Sequence, residues 1–318
     1  MWQCSLRLLG KLKGTREFLV DLNGGRIDLV PDDMQGQLPA LLEGVEILSL
    51  SGIVCLGGPP ALQGILLACS RLSHLYLNGV CFADDVSPYH LHDATANHKE
   101  TLRTFVYYGD DDDPSEQELL RWLAHGGMNF RPSRLGFTTM TEGICDMLHS
   151  AGDSLEYLWV DLSEPIFPPM APALACNTRL ASIDILYFNP RLIAAWRVLS
   201  VLSSIGATNT SMQQLGLSVI GPLAKLVNAS TWREVDSHLA RLARSLPALV
   251  VTFYFHRCFN DDDQRGKIIE ILDNFMLYRE ARGRLAVCWS ATPEQYAKAV
   301  DLKLVCQPEL DPGLLGSP

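Results

Sequence analysis

Three histidines and an aspartate crowd the segment HLHDATANH, where His90, His92, Asp93 and His98 have metal-ligating chemistry, since two imidazoles two residues apart on an extended segment can face one ion. The spacing fixes no fourth ligand, and polar loops collect histidine without a metal, so no metal site is expected. Carboxylates cluster at Asp110 to Asp113 and again at Asp261 to Asp263, and invite a calcium reading. The second run fails the loop template: with Gly266 at the turn position, Arg265 takes a ligand place and Leu272 stands where the closing glutamate belongs. Both runs precede helical patterns, where aspartate caps the helix and favours its positive end, and capping is the expectation. Nucleophilic chemistry has less support still. There is no G-x-S-x-G elbow, and Gly216, Ser218 and Gly221 have the wrong spacing. Neither G-x-G-x-x-G nor a P-loop occurs, so no cofactor is expected and the chain is read as a non-enzyme.

Composition narrows the classes further. The 318 residues carry 26 basic and 36 acidic side chains, a formal net charge of -10. Phosphate backbones need a basic face, so nucleic acid is not the expected ligand. Hydrophobic residues are 47% and charged ones 19%, enough apolar mass for a large core. No apolar run approaches the roughly 20 residues of a membrane helix, so no membrane is expected. Nine cysteines, odd in number and without a C-x-x-C pair, point to reduced and mostly buried thiols. Arg7 and Lys11 interrupt the short apolar start, a poor secretory signal. On these features the protein is expected in the cytoplasm or nucleus.

What positions the side chains is a recurrent triplet: apolar, two residues, apolar, one residue, apolar. It occurs as Val45, Leu48, Leu50; Leu72, Leu75, Leu77; Leu102, Phe105, Tyr107; and Leu155, Leu158, Val160. It returns as Leu180, Ile183, Ile185; Met212, Leu215, Leu217; and Leu246, Leu249, Val251, with partial copies at Leu135, Phe137 and at Leu285, Val287, Trp289. Alternation within each copy is the period of a half-buried strand. Between copies lie helix starts. Asp113 and Pro114 with Glu116 open one; Asn189 and Pro190 open a second that ends before Gly206; Thr231 with Glu234 forms a capping box for a third, whose apolar face is Val235, Leu239, Leu242 and Leu246. Gly57, Gly58, Pro59 and Pro60 read as a tight turn feeding a helix.

A strand-loop-helix unit repeated about nine times cannot bury its apolar face alone, but stacked copies share one core. The expected fold is therefore α/β: an open leucine-rich-repeat-like solenoid, with a parallel sheet on the concave side and helices on the convex side. Residues 1–24 are expected to form a helical cap, 25–300 the solenoid, and 301–318 a loose tail.

The segments VEILSLSG, LSHLYLNGVCF and LEYLWV resemble irregular leucine-rich repeats, and the layout resembles the repeat portion of fungal F-box proteins. The sequence departs from regular repeats three positions after the last strand leucine, where Ile53, Val80, Asp110, Ser163, Phe188 and Ile220 replace asparagine or cysteine. The family's adaptor-binding F-box helices are not found; Leu38 and Pro39 only echo them. The resemblance implies protein recognition, as the substrate receptor of a ubiquitin ligase, with ligase adaptor components as further partners.

Strand alternation sends the residues between the triplet positions to the other face. Tyr76, Asn78, Tyr108, Tyr157, Trp159, Asp161, Asp184, Tyr254 and His256 are expected to line it and to bind a protein partner, because tyrosine and tryptophan are enriched at such surfaces. Irregular loops folded over that face would bury them, and a one-residue shift of register would send them to the core. A closed (β/α)8-like barrel, carrying an enzyme with an unidentified substrate, also alternates strand and helix, and would set Asp161, Asn189, His256 and Ser290 at strand ends. Ser49, Tyr76, Asp184 and Gln214 are too polar for a barrel interior, which favours the open form.

Overall fold

The protein's structure, a computed structural model, describes residues 15–28, 40, 42–56, 58–82, 101–109, 114–138, 141–161, 174–188, 192–219, 229–255 and 262–289. The chain divides into two compact units, Met1–Ala151 and Gly152–Pro318.

In the first unit the triplets become strands as their period requires. β1 (Glu17–Asp28), β2 (Ile47–Leu56), β3 (His74–Phe82), β4 (Leu102–Tyr108) and β5 (Phe130–Phe137) lie side by side in chain order. Every pairing is parallel. α1 (Gly58–Ala68), α2 (Pro114–Trp122), a five-residue π turn at Leu123–Gly127 and α3 (Glu142–Ala151) occupy the crossovers. α1 opens on the glycine-proline turn and α2 starts at Pro114, as the helix signals require.

The second unit repeats the scheme. β6 (Tyr157–Asp161), β7 (Ser182–Phe188), β8 (Gln214–Val219), β9 (Val250–Phe255) and β10 (Arg284–Trp289) again follow chain order, each parallel to its neighbour. α4 (Leu192–Ser204), α5 (Ala229–Ser245), α6 (Asp262–Asp273) and the short α7 (Met276–Glu280) lie between them. The described residues form no closed barrel: in both units the strand order runs from end to end without returning, which removes the closed enzyme scaffold.

Triplet residues form the core. Leu48, Leu75, Phe105, Leu135, Leu158, Ile183 and Val251 are fully buried. Burying each such side chain contributes about 1.5–3 kcal/mol, so the repeated triplet is the main source of stability. The last partial copy is the exception, with Leu285 37% exposed. The apolar stripe of α5 is buried as its spacing demands, at Val235, Leu239 and Leu242.

Several strand starts are clasped to the preceding repeat by main-chain bonds, with the Ser73 hydroxyl adding a bond to Glu46 O at 3.2 Å. Glu46 O accepts hydrogen bonds from Ser73 N (2.9 Å) and His74 N (3.0 Å), and Ser73 O accepts from Arg103 N and Thr104 N (2.8 and 3.1 Å). In the second unit Glu156 O receives Ala181 N and Ser182 N, and Ala181 O receives Gln213 N and Gln214 N. One carbonyl thus holds two donors of the following repeat, satisfying groups that would otherwise be orphaned where the ladder begins.

Three expectations need correction. β1 runs from Glu17 through Asp28, so part of the segment expected as a helical cap is a strand; Phe18 and Val20 carry its alternation. α5 begins at Ala229, two residues before Thr231, so Thr231 does not cap it. The copy Leu246, Leu249, Val251 is displaced in role. Leu249 N donates to Leu246 O as Met212 N donates to Asn209 O, and Val251 pairs with Leu215. The inward residues of β9 are therefore Val251, Phe253 and Phe255.

Candidate functional site

The face opposite the triplets is built in rows by strand register. In the first unit one row runs Leu19, Ser49, Tyr76, Val106, Gly136, and the row before it runs Glu17, Ile47, His74, Thr104, Arg134. Along the Tyr76 row this face opens progressively from β5 to β1. Val106 and Thr104 are buried, Tyr76, His74, Ser49 and Ser51 are half-buried, and Asn78 and Leu19 are exposed, Leu19 to 66%. Asn78 Nδ2 donates to Ser51 Oγ at 3.4 Å, joining two polar residues on the open part. Tyr108, at the end of β4, is half-buried.

In the second unit the rows are Trp159, Asp184, Gly216, Thr252, Ala286 and, beyond it, Ser218, Tyr254, Cys288. Here the expectation of an exposed wall is overturned. Trp159 is 1% exposed, Asp184 4% and Asp161 8%. Their parity on the strand is as expected, since Leu158 and Val160 point to the core; what differs is that both faces of β6 and β8 are buried. Tyr157 and Tyr254 are half-buried.

Burial makes this second face a polar lock. The Tyr157 hydroxyl donates to Asp184 Oδ2 at 2.5 Å, and the other oxygen, Oδ1, lies where a side chain on Gly216 would stand, 1.9 Å from an added Cβ. The same Cβ would come within 3.2 Å of the Tyr254 ring. Gly216 is thus required by close approach, because its missing side chain is the space Asp184 occupies. Burial, then Asp184, then Cys288 push the Tyr254 hydroxyl above its ordinary pKa, so it stays protonated.

The asparagines at the helix-to-strand turns of this unit belong to no motif named above, yet they tie the turns together. Asn209 is fully buried; its Nδ2 donates to Leu174 O and Asn177 O at 2.9 and 3.0 Å, while Oδ1 accepts from Gly206 N at 2.9 Å. Asn177 Nδ2 donates to Gly152 O at 2.9 Å. Each stands three residues before the first triplet position, at Leu180 and Met212, and that shared offset is the readable signal. Cys69 holds the same place before Leu72.

Buried thiols behave as small hydrophobes at two positions: Cys55 and Cys69 are fully buried, and burial pushes both up to about 12. Cys81 is exposed and Cys145, Cys176 and Cys288 are half-buried, so burial is less general than the sequence suggests. His256, Asn189 and Ser290 lie outside the described residues, as do His90, His92, Asp93, His98, Asp110 to Asp113 and Asp261. Among the described residues no group of three His, Cys, Asp or Glu is placed to hold a metal ion, and no helix is long and apolar enough to cross a membrane.

The class these elements define is a mixed α/β protein of parallel strands and crossover helices. No protein-family model matches the chain, and no curated protein matches it significantly.

Proposed function

We propose that the chain is a non-catalytic protein-interaction module of the solenoid type, which binds a protein partner on the open part of the first unit's outward face. The observation that carries this reading is the gradient across that face: Asn78 and Leu19 are exposed and Tyr76, Ser49 and Ser51 half-buried, whereas Val106 and Thr104 are buried. A rigid parallel sheet holds these side chains at fixed spacing, which lowers the entropy cost of binding. Trp159, Asp161 and Asp184 are buried in the second unit and form no part of this face.

The resemblance to F-box and leucine-rich-repeat proteins extends the reading to a ubiquitin-ligase substrate receptor in the cytoplasm or nucleus. The test is capture of partners from native cell extract by the whole chain, comparing wild type with Tyr76→Ala plus Asn78→Ala. Loss of one partner supports the face; unchanged recovery from a correctly folded variant removes it. Co-recovery of cullin-type ligase components tests the extension.

A further inference from the structure

The last strand of the second unit is lightly held. No residue from Arg284 to Cys288 is buried, whereas Val251, Phe253 and Phe255 of the neighbouring β9 all are. The short helix before it is fixed at a single side chain: Tyr278 is the one buried residue of α7, while Met276 and Leu277 are exposed. Tight packing ends just upstream, at Phe275, whose ring lies 5.8 Å from that of Trp232 and 5.9 Å from that of Phe253.

A helix as short as α7 has no stability of its own, and Phe275 at its N-cap position supplies no side-chain bond. The cap comes from α5 instead. Buried Asp236 accepts from Leu277 N at 3.1 Å and from Tyr278 N at 2.8 Å, the two amides that an N-cap side chain satisfies. Capping and docking are therefore one interaction, and an α7 that leaves Asp236 loses the acceptor of its first turn. Tyr278 carries the effect onward to β10. Its hydroxyl donates to Arg284 O at 2.9 Å, and its ring fills the space beside Gly283, 2.2 Å from a Cβ added there. Between them the chain turns through Arg282 at φ 58°, the one non-glycine residue with left-handed backbone among the described residues. Gly283 N donates to Tyr278 O and Arg282 N to Arg279 O, the helix-closing pattern in which glycine is usual at the place Arg282 holds. The side chain there works against the closed turn.

We propose that α7 and β10 are a conformational switch at the end of the second unit, opening and closing as one element, with Asp236 as its latch and the Arg282 turn as the strain that opposes closure. Opening bares the edge of β9 from Val250 to Phe255, the main chain that β10 pairs with in the closed form. The switch stands apart from the docking-face reading, because every residue in it belongs to the second unit.

The experiment is hydrogen exchange of the full chain, read residue by residue where reclosing outruns exchange, so that rates report the opening equilibrium. Leu277, Tyr278 and the β10 amides bonded to β9 are expected to share one opening constant, larger than that of β8. Asp236→Ala speeds these β10 amides, which bond to β9 and not to Asp236, by about tenfold or more, and leaves β7 and β8 within about twofold of wild type. Asp236→Asn keeps the size and one accepting oxygen; it gives a smaller factor at the same residues and stands in if the alanine variant fails to fold. Arg282→Gly, at an exposed position, moves the same amides the other way and slows them by about threefold. Exchange of β10 that is indifferent to the Asp236 variants, equal acceleration of β7 and β8, or an Arg282→Gly chain that opens as readily as wild type overturns the proposal.

Discussion

The two units solve the same packing problem with the same inward triplets, yet their outward faces end in opposite conditions. In the first, Tyr76 is half-buried and Asn78 exposed, and the turn before β3 carries Cys69. In the second, Trp159 and Asp184 are buried, Asp184 reaches over Gly216, and the turns before β7 and β8 are tied by Asn177 and Asn209. A strand pattern fixes which way a side chain points, but the chemistry placed there decides whether the face becomes a surface or a second core. Buried polar groups need hydrogen-bond partners, which Asp184 has in the Tyr157 hydroxyl.

If the inward faces are equivalent, equal truncations should cost the same in both units. Leu77→Ala and Leu158→Ala, each fully buried, are expected to destabilise by about 3 kcal/mol in denaturant titration, and a difference above about 1 kcal/mol breaks the equivalence. The turns should differ. Asn209→Ala strands two carbonyls and an amide in the interior and is expected to cost about 3 kcal/mol, against about 1 kcal/mol for Cys69→Ala, which loses only a buried thiol.

The outward lock is tested at Gly216. Gly216→Ala sets a methyl against Asp184 and is expected to cost about 2 kcal/mol. In the Asp184→Ala background the same change should cost much less, a coupling that a double-mutant cycle measures. Equal costs in both backgrounds would show that the carboxylate is not what fills the space.

Alkaline pH should loosen the units in sequence. The folded-state thiols of Cys55 and Cys69 are raised to about 12 from 9.0, so their contribution is intact below pH 9 and is lost as pH climbs toward 12. The second unit's Tyr278, raised to about 12 by burial, begins to act only above 10.0. At pH 10 the first unit should be weaker by about 1 kcal/mol per buried thiol, read by hydrogen exchange resolved by unit. Simultaneous loosening would contradict the assignment. The smallest effect is acidic: His74 is held neutral in the fold, so stability declines as pH falls below 6.5, where the unfolded chain takes up the proton first. His74→Gln should flatten that slope.

The inward half of this architecture is legible because a half-buried strand demands period-two alternation of large apolar residues, and helices and loops do not produce it. Pro114 marks a helix start for a similarly local reason: a ring without an amide hydrogen suits the first turn. The start of α5 is harder to read, because the capping-box letters at Thr231 and Glu234 occur inside a helix as readily as before one. Trp159 and Asp184 take the expected face without the expected exposure, since alternation carries no information about what closes over a face. The lock at Gly216 is a contact between neighbouring repeats, invisible to any window shorter than one repeat.

The carbonyl clasps at the strand starts have a consequence for how such a chain can change. The residues whose carbonyls supply them, Glu46, Ser73, Glu156 and Ala181, share no chemistry, because the paired bonds are made by their backbones, with the Ser73 hydroxyl adding one more to Glu46 O at 3.2 Å. Substitution there keeps the main-chain bonds of the joint, so the border of the sheet can be recoloured from acid to base over generations at the cost of exposed ion pairs and one hydroxyl bond. Novel preferences for binding targets would then arise first along this margin, where heredity is free to experiment, and last at the leucines beneath it.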